Sequence, residues 1–226
     1  MTRAAALIVA AGAGTRFGGA KQFAAFGGRP LIEWSLDAFH AHPGIDEIVL
    51  VLPDARAKKI FRERFPKIIE VVPGGERRQD SVAAGFDRLD PGTTGLVLVH
   101  DGARPLVTPE VIDRVLAAAK KKGAAVPIVS LEDTIKEFAG DRVVRTLDRG
   151  RLGRAQTPQG FSYDILKRAL ALAAETKGTG TDEAALVERM GVEVAVVDGD
   201  PRNLKITTPL DLIFAEAIRH ENRSGL

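Results

Sequence analysis

A chain of 226 residues, 45% of them hydrophobic and none of them cysteine, is long enough to bury one sizeable α/β core, and it excludes disulfides, thiolate metal sites and cysteine nucleophiles. A formal net charge of +2 gives no general attraction to nucleic acid or to a membrane surface. The first apolar run, Ala4 to Ala10, is too short to span a bilayer and leads into Gly12-Ala13-Gly14 rather than a signal-cleavage pattern, so the expected compartment is the cytoplasm.

Within that run, Ala5-Ala6-Leu7-Ile8-Val9 reads as a buried strand. It feeds a loop of small residues, Ala10-Ala11-Gly12-Ala13-Gly14, which continues through Arg16 to Gly18-Gly19-Ala20-Lys21. Small residues let a ligand approach the backbone, whose N–H groups can cradle phosphate oxygens. A dinucleotide fingerprint fails because Phe17 stands where its last glycine belongs, and a P-loop fails because Ala20 follows Gly19 where lysine is required. What remains is a Gly-rich loop with two cations, Arg16 and Lys21, a combination suited to a triphosphate. Taken alone, it reads sooner as a tight strand-to-helix turn with solvent-facing cations.

Pro30 to Phe39 reads as a helix with proline in its first turn, and Ile48 to Leu52 as a second strand. Asp54 stands as the cap of a charged helix ending near Phe65. Ile68–Val72 and Leu96–Val99 are further strands, with a helix from Gln79 to Leu89 between them. A helix from Pro109 to Lys122 and a strand from Ala125 to Val129 follow. Apolar strands interleaved with helices indicate an α/β fold with a mostly parallel, Rossmann-like sheet covered on both faces. Ligands in such sheets bind beyond the carboxyl ends of the strands, here near Ala10–Lys21, Pro73–Arg78 and His100–Pro105.

The alternation breaks after Asp133. Thr134–Phe138 and Arg142–Leu147 read as two strands around Ala139-Gly140-Asp141. This protruding β-arm, about 133–160 with its flanks, either extends the main sheet or packs on a second subunit, because a lone ribbon is marginal. Helices return at Ser162–Ala174, Thr181–Met190 and Pro209–His220, with an apolar run at Val192–Val197, and residues 221–226 read as a frayed tail of a single domain spanning 1–226.

The motifs form an ordered series. Ala10-Ala11-Gly12-x-Gly14-x-Arg16 and Lys21-Gln22 are followed by Gly74-Gly75-x-x-Arg78-x-x-Ser81 and by His100-Asp101-Gly102-Ala103-Arg104-Pro105. Asp133-Thr134, Asp148-Arg149, Thr157-Pro158-Gln159, Thr181-Asp182-Glu183 and Asn203-Leu204-Lys205-Ile206-Thr207 complete it. From about residue 4 to residue 220 the chain resembles the methylerythritol phosphate cytidylyltransferase family of the non-mevalonate isoprenoid pathway, which implies a fold of the nucleotide-diphospho-sugar transferase type. The resemblance implies a reaction between CTP and a polyol phosphate, with Arg16, Lys21 and Lys205 as catalytic cations. It implies Mg²⁺ on Asp101, base selection by Ala10, Ala11, Gly75 and Ser81, and nucleotide contacts from Gly12 and Gly14. It assigns Arg104, Thr134 and Arg149 to the second substrate's phosphate, and it implies a homodimer in which the arm crosses to the partner. The loop departs from the family pattern, with only five positions from Arg16 to Lys21 and Ala20 where proline is usual. Ala11 and Ala103 favour methylerythritol phosphate over ribitol 5-phosphate as substrate, and the cations together argue against a non-catalytic nucleotide-binding regulator. Read without the motifs, Asp101 is a turn aspartate, Lys205 a surface lysine on an edge strand, and His100 a packed strand-end residue.

Overall fold

The computed structural model describes residues 2–54, 58–176 and 180–224. In chain order the strands are β1 (Arg3–Val9), β2 (Ala25–Phe26), β3 (Arg29–Pro30), β4 (Glu47–Leu52), β5 (Ile68–Pro73) and β6 (Thr94–Asp101). They continue as β7 (Ala124–Ser130), β8 (Lys136–Ala139), β9 (Arg142–Thr146), β10 (Gly153–Ala155), β11 (Gln159–Ser162) and β12 (Ala195–Asp198). The helices are α1 (Leu31–Ala41), α2 (Lys58–Arg64), α3 (Arg78–Phe86), α4 (Pro109–Lys122), α5 (Tyr163–Glu175), α6 (Glu183–Glu188) and α7 (Pro209–Ser224).

One eight-stranded sheet runs β10-β7-β11-β6-β1-β4-β5, with β12 on the other side of β7. The pairs β6-β1, β1-β4, β4-β5 and β7-β12 are parallel. Strands β10 and β11 run antiparallel to their neighbours. Side chains of a strand point alternately to its two faces. Ala4, Ala6 and Ile8 of β1, with Ile48, Leu50 and Leu52 of β4, therefore meet α1 and α4 on one face. Ala5 and Leu7, with Val49 and Val51, meet α3, α5 and α6 on the other. Burial on both faces is why these strands read as unbroken apolar runs.

Helix α4 occupies the residues expected. Thr108 sits at its N-cap, Pro109 takes the first turn, Lys120–Lys122 fill the last, and Gly123 closes it in the left-handed region at φ 86°. Other boundaries moved. Helix α6 starts later than Thr181 because Asp182 caps it, accepting from the Ala185 N–H at 3.0 Å, and it ends at Glu188 rather than Met190. Helix α7 continues to Ser224, so the tail expected from 221 is helical up to that point, and 225–226 lie outside the described residues. The start of the helix expected after Asp54 falls on 55–57, also outside them. Segment 203–207 is not a strand, so Lys205 does not sit on a sheet edge.

The ribbon β8-β9 is a separate two-stranded sheet rather than an extension of the main one, and all nine of its residues are exposed. The arm is also narrower than 133–160, since β10 and β11 return to the main sheet.

Candidate active site

The carboxyl ends of β1, β5 and β6 open onto a cleft of about 330 Å³. Its floor is backbone. Ala10 is held by its N–H to the Val51 carbonyl at 2.8 Å, and the Val9 carbonyl accepts from the Gly102 N–H at 2.9 Å. Gly74 allows β5 to end close beside this floor: a Cβ there would lie 2.2 Å from the Ala11 Cβ and 2.8 Å from the Ser81 Oγ. Ser81, on the first turn and a half of α3, accepts from the Gly75 N–H at 3.1 Å. Residues from three separate segments are thus fixed together along one wall.

The loop from Ala11 to Ala20 closes on Gly14. The Gly14 carbonyl accepts from the N–H groups of Phe17 at 2.9 Å, Gly18 at 3.0 Å and Gly19 at 3.2 Å. Gly14 adopts φ 66°, and a Cβ there would lie 1.9 Å from the Gly19 carbonyl oxygen, so this turn requires glycine. Phe17 packs against the cluster of Phe26, Leu31, Ile206 and Ala215, which anchors the loop.

The same cleft is lined by a charge cluster. Asp101, at the end of β6, receives Lys205 Nζ at 2.7 Å and Arg78 Nε at 3.0 Å, with Arg104 Nε at 4.0 Å. Burial alone would raise its pKa, but Arg78 and Lys205 overrule burial and hold the carboxyl well below the usual carboxylate range. Arg78 is gripped from behind by Glu183, whose two oxygens accept from Nη1 at 2.6 and 2.7 Å. Lys21 donates to the Ile206 carbonyl at 2.8 Å. Burial, then the neighbouring Lys205 charge, lowers its pKa, with Asp101 pulling the other way. His100 is fully buried beside Phe39, with Nδ1 3.1 Å from the Thr157 hydroxyl, and burial lowers its pKa to about 3. It is a packing residue, as expected.

A second hollow of about 250 Å³ shares Arg78, Asp101 and Lys205 with the cleft and adds Arg104, Thr157 and Asp182. Arg104 is buried and donates to the carbonyls of Asn203 at 2.8 Å and Ala155 at 3.4 Å, while its Nε and Arg78 Nη2 have no hydrogen-bond partner. The peptide between Thr157 and Pro158 is cis.

A family model described as 2-C-methyl-D-erythritol 4-phosphate cytidylyltransferase matches residues 4–221. The chain belongs to that family. A cytidylyltransferase of this name from Bacillus velezensis is 45% identical over 94% of this chain and 94% of its own length. One from Syntrophotalea carbinolica is 42% identical over 93% and 94%. The cytidylyltransferase crystal structure from Thermus thermophilus superposes with a TM-score of 0.80 at 37% identity, covering 97% of this chain and 100% of that one.

Of the residues expected from the cytidylyltransferase motifs, the fold gathers Ala10, Ala11, Gly12, Lys21, Gly75, Ser81, Asp101 and Lys205 around one cleft. Arg104 lines the adjoining hollow. Arg16 is exposed on the loop, near enough to depress the Lys21 pKa. Thr134 and Arg149 are exposed at the base of the ribbon, where the Leu147 N–H donates to the Ile135 carbonyl at 2.9 Å and Arg149 donates to the Glu132 carbonyl. The ribbon thus brings these two together, but outside their own chain's cleft. Arg78 and Glu183 received no role from the sequence, although both stand inside its motifs.

Proposed function

We infer that this chain is a cytidylyltransferase that joins 2-C-methyl-D-erythritol 4-phosphate to CTP, giving 4-diphosphocytidyl-2-C-methyl-D-erythritol and pyrophosphate. The observation that carries this reading is the meeting of Lys21, Lys205, Arg78 and Asp101 at the rim of a cleft floored by the backbone of residues 10–12. A phosphate oxygen of the polyol phosphate forms a bond to the α-phosphorus of CTP as the bond to the bridging oxygen of pyrophosphate breaks. The attacking oxygen is already ionised at neutral pH, so no protein base is required. Alignment and charge neutralisation supply the acceleration.

In this reading the backbone of Ala10 and Ala11, with Gly75 and Ser81, reads the cytosine edge, while Gly12 and Gly14 let the sugar and phosphates lie close. Arg16 and Lys21 neutralise charge on the five-coordinate phosphorus and on the leaving pyrophosphate, and Lys205 steadies the α-phosphate. Asp101 would hold Mg²⁺. Among the described residues no cluster of three or more histidine, cysteine or acidic side chains gathers to cage a metal. One carboxylate beside a phosphate site suits an ion that takes its remaining ligands from phosphate and water, as Mg²⁺ does. When bound, that ion neutralises phosphate charge. The polyol phosphate occupies the adjoining hollow beside Arg104. Thr134 and Arg149 reach that hollow from the partner of a homodimer, which we place in the cytoplasm. Among the described residues no helix is long and apolar enough to cross a membrane.

Pyrophosphate release from CTP, measured with methylerythritol phosphate and with ribitol 5-phosphate, tests the reading. Release with the first, abolished by chelating divalent ions, is expected. Release with ribitol 5-phosphate alone would overturn the substrate, full turnover in excess chelator would overturn the metal, and silence with both would make the chain a binding protein.

A further inference from the structure

We propose that Asp211 is a positioning residue for Lys21 and Lys205, acting through the peptide that joins Ile206 to Thr207. The proposal rests on the reading of those two lysines as cations of the cytidylyltransferase site.

Asp211 is the third residue of α7, and Thr208 precedes the helix. The Asp211 N–H donates to the Thr208 hydroxyl at 3.3 Å, while Oδ2 accepts from the Thr208 N–H at 2.7 Å. That reciprocal pair is a capping box, the usual device at a helix start. The same oxygen accepts two bonds more, from the Thr207 N–H at 2.8 Å and the Thr207 hydroxyl at 2.7 Å. These lie outside the helix and call for another explanation.

The Thr207 N–H and the Ile206 carbonyl belong to one planar peptide unit. Lys21 Nζ donates to that carbonyl at 2.8 Å. The unit is therefore held by Asp211 on its N–H edge and by Lys21 on its carbonyl edge. A carboxylate accepting from the N–H also polarises the peptide and strengthens the carbonyl as an acceptor. One residue back, the Ile206 N–H donates to the Ala103 carbonyl at 2.8 Å, and Lys205 reaches Asp101 at 2.7 Å. A carboxylate at the start of α7 thereby sets where both lysines stand.

Asp211 also acts by charge. Burial tends to raise its pKa, but the Thr207 and Thr208 donors prevail and lower it to about 2, so it stays ionised through the working range. The groups whose charges bear on Lys21 are Lys205 and Arg16, which lower its pKa, and Asp101 and Asp211, which raise it. Removing the Asp211 charge therefore favours loss of the Lys21 proton.

The test uses the full chain, with methylerythritol phosphate and CTP assayed by pyrophosphate release between pH 6 and 10. Asp211→Asn is expected to lower kcat by about ten- to a hundredfold, the scale of a small misplacement of a catalytic group, with KM for CTP little changed. The alkaline limb of its kcat profile should move to lower pH. Thr207→Val removes only the hydroxyl bond and should give a smaller loss in the same direction. A fall in kcat that only tracks loss of folded protein in a thermal melt, or an alkaline limb that stays in place, overturns the proposal. If Asp211→Asn does not fold, an unchanged kcat in Thr207→Val overturns it. Lys21→Ala in the same assay separates the two levels. Full turnover there sinks the reading of Lys21, whereas a slow Lys21→Ala beside a wild-type Asp211→Asn sinks only the role of Asp211.

Discussion

A lysine ammonium that is half-buried, close to another lysine and bonded to a neutral carbonyl is held for its charge rather than for an internal ion pair. Lys21 meets that description. If it neutralises charge that grows during phosphoryl transfer, Lys21→Ala should lower kcat far more than affinity for CTP, by about a hundredfold or more. A variant with normal kcat and weak CTP binding would confine Lys21 to ground-state binding. The sign of its pH dependence follows from its environment. The folded pKa lies below the ordinary lysine value, and the protonated form is the useful one, so activity falls as pH rises through that lowered pKa. Lys21→Arg keeps its proton at all working pH values. Any activity it retains should extend to higher pH, and a limb that does not move would assign the titration elsewhere. Asp101 runs the other way. Its folded pKa is depressed, so its pairing with Arg78 and Lys205 stabilises the fold above the ordinary carboxylate range, and that contribution is lost as pH falls below about 4.

The Gly-rich loop is an element whose shape depends on one position. Gly14→Ala combines an unfavourable φ with a Cβ 1.9 Å from the Gly19 oxygen, so the turn must open. The turn carries Arg16 and leads to Lys21, and its own core contact is through Phe17, which packs on Phe26, Leu31, Ile206 and Ala215. The expected outcome is a large loss of kcat/KM for CTP with an unchanged circular dichroism spectrum; a variant that binds CTP normally would show that the loop is not a phosphate cradle. Elements of this kind were legible because their signals are local. Helix α4 could be read residue by residue from Thr108, Pro109, Lys120–Lys122 and Gly123. Strands β10 and β11 could not. They are short, glycine-containing and flank Pro158, and β11 exists because β6, some sixty residues earlier, offers it an antiparallel edge. The site divides in the same way. Ala10, Ser81, Asp101 and Lys205 stand in motifs that can be read in order along the chain. The grip of Glu183 on Arg78 joins positions 105 residues apart, and only the tertiary fold that brings the starts of α3 and α6 together creates it. The bonds from Asp211 to Thr207 were hidden for a different reason, since an acidic residue in the first turn of a helix already has a sufficient explanation.

At the scale of the whole molecule, the ribbon is the feature set apart from the main sheet. Phe138, Val143 and Val144 are each more than half exposed on it, and Thr134 and Arg149 gather at its base. A two-fold assembly in which each arm reaches the other's cleft would place Lys21 and Arg149 of one chain in different sites. Lys21→Ala and Arg149→Ala homodimers should then both be nearly inactive. Refolding an equal mixture makes half the dimers mixed, each with one intact site and one doubly defective site, so activity should return to roughly a quarter of wild type. Continued inactivity with mixed dimers demonstrably present would put Arg149 to work within its own chain. In such an assembly catalysis would also answer to mass action. Two sites that borrowed from each other would be lost in a single dissociation event. Specific activity, constant on dilution for a self-sufficient monomer, should fall once protein concentration drops below the dissociation constant of the pair.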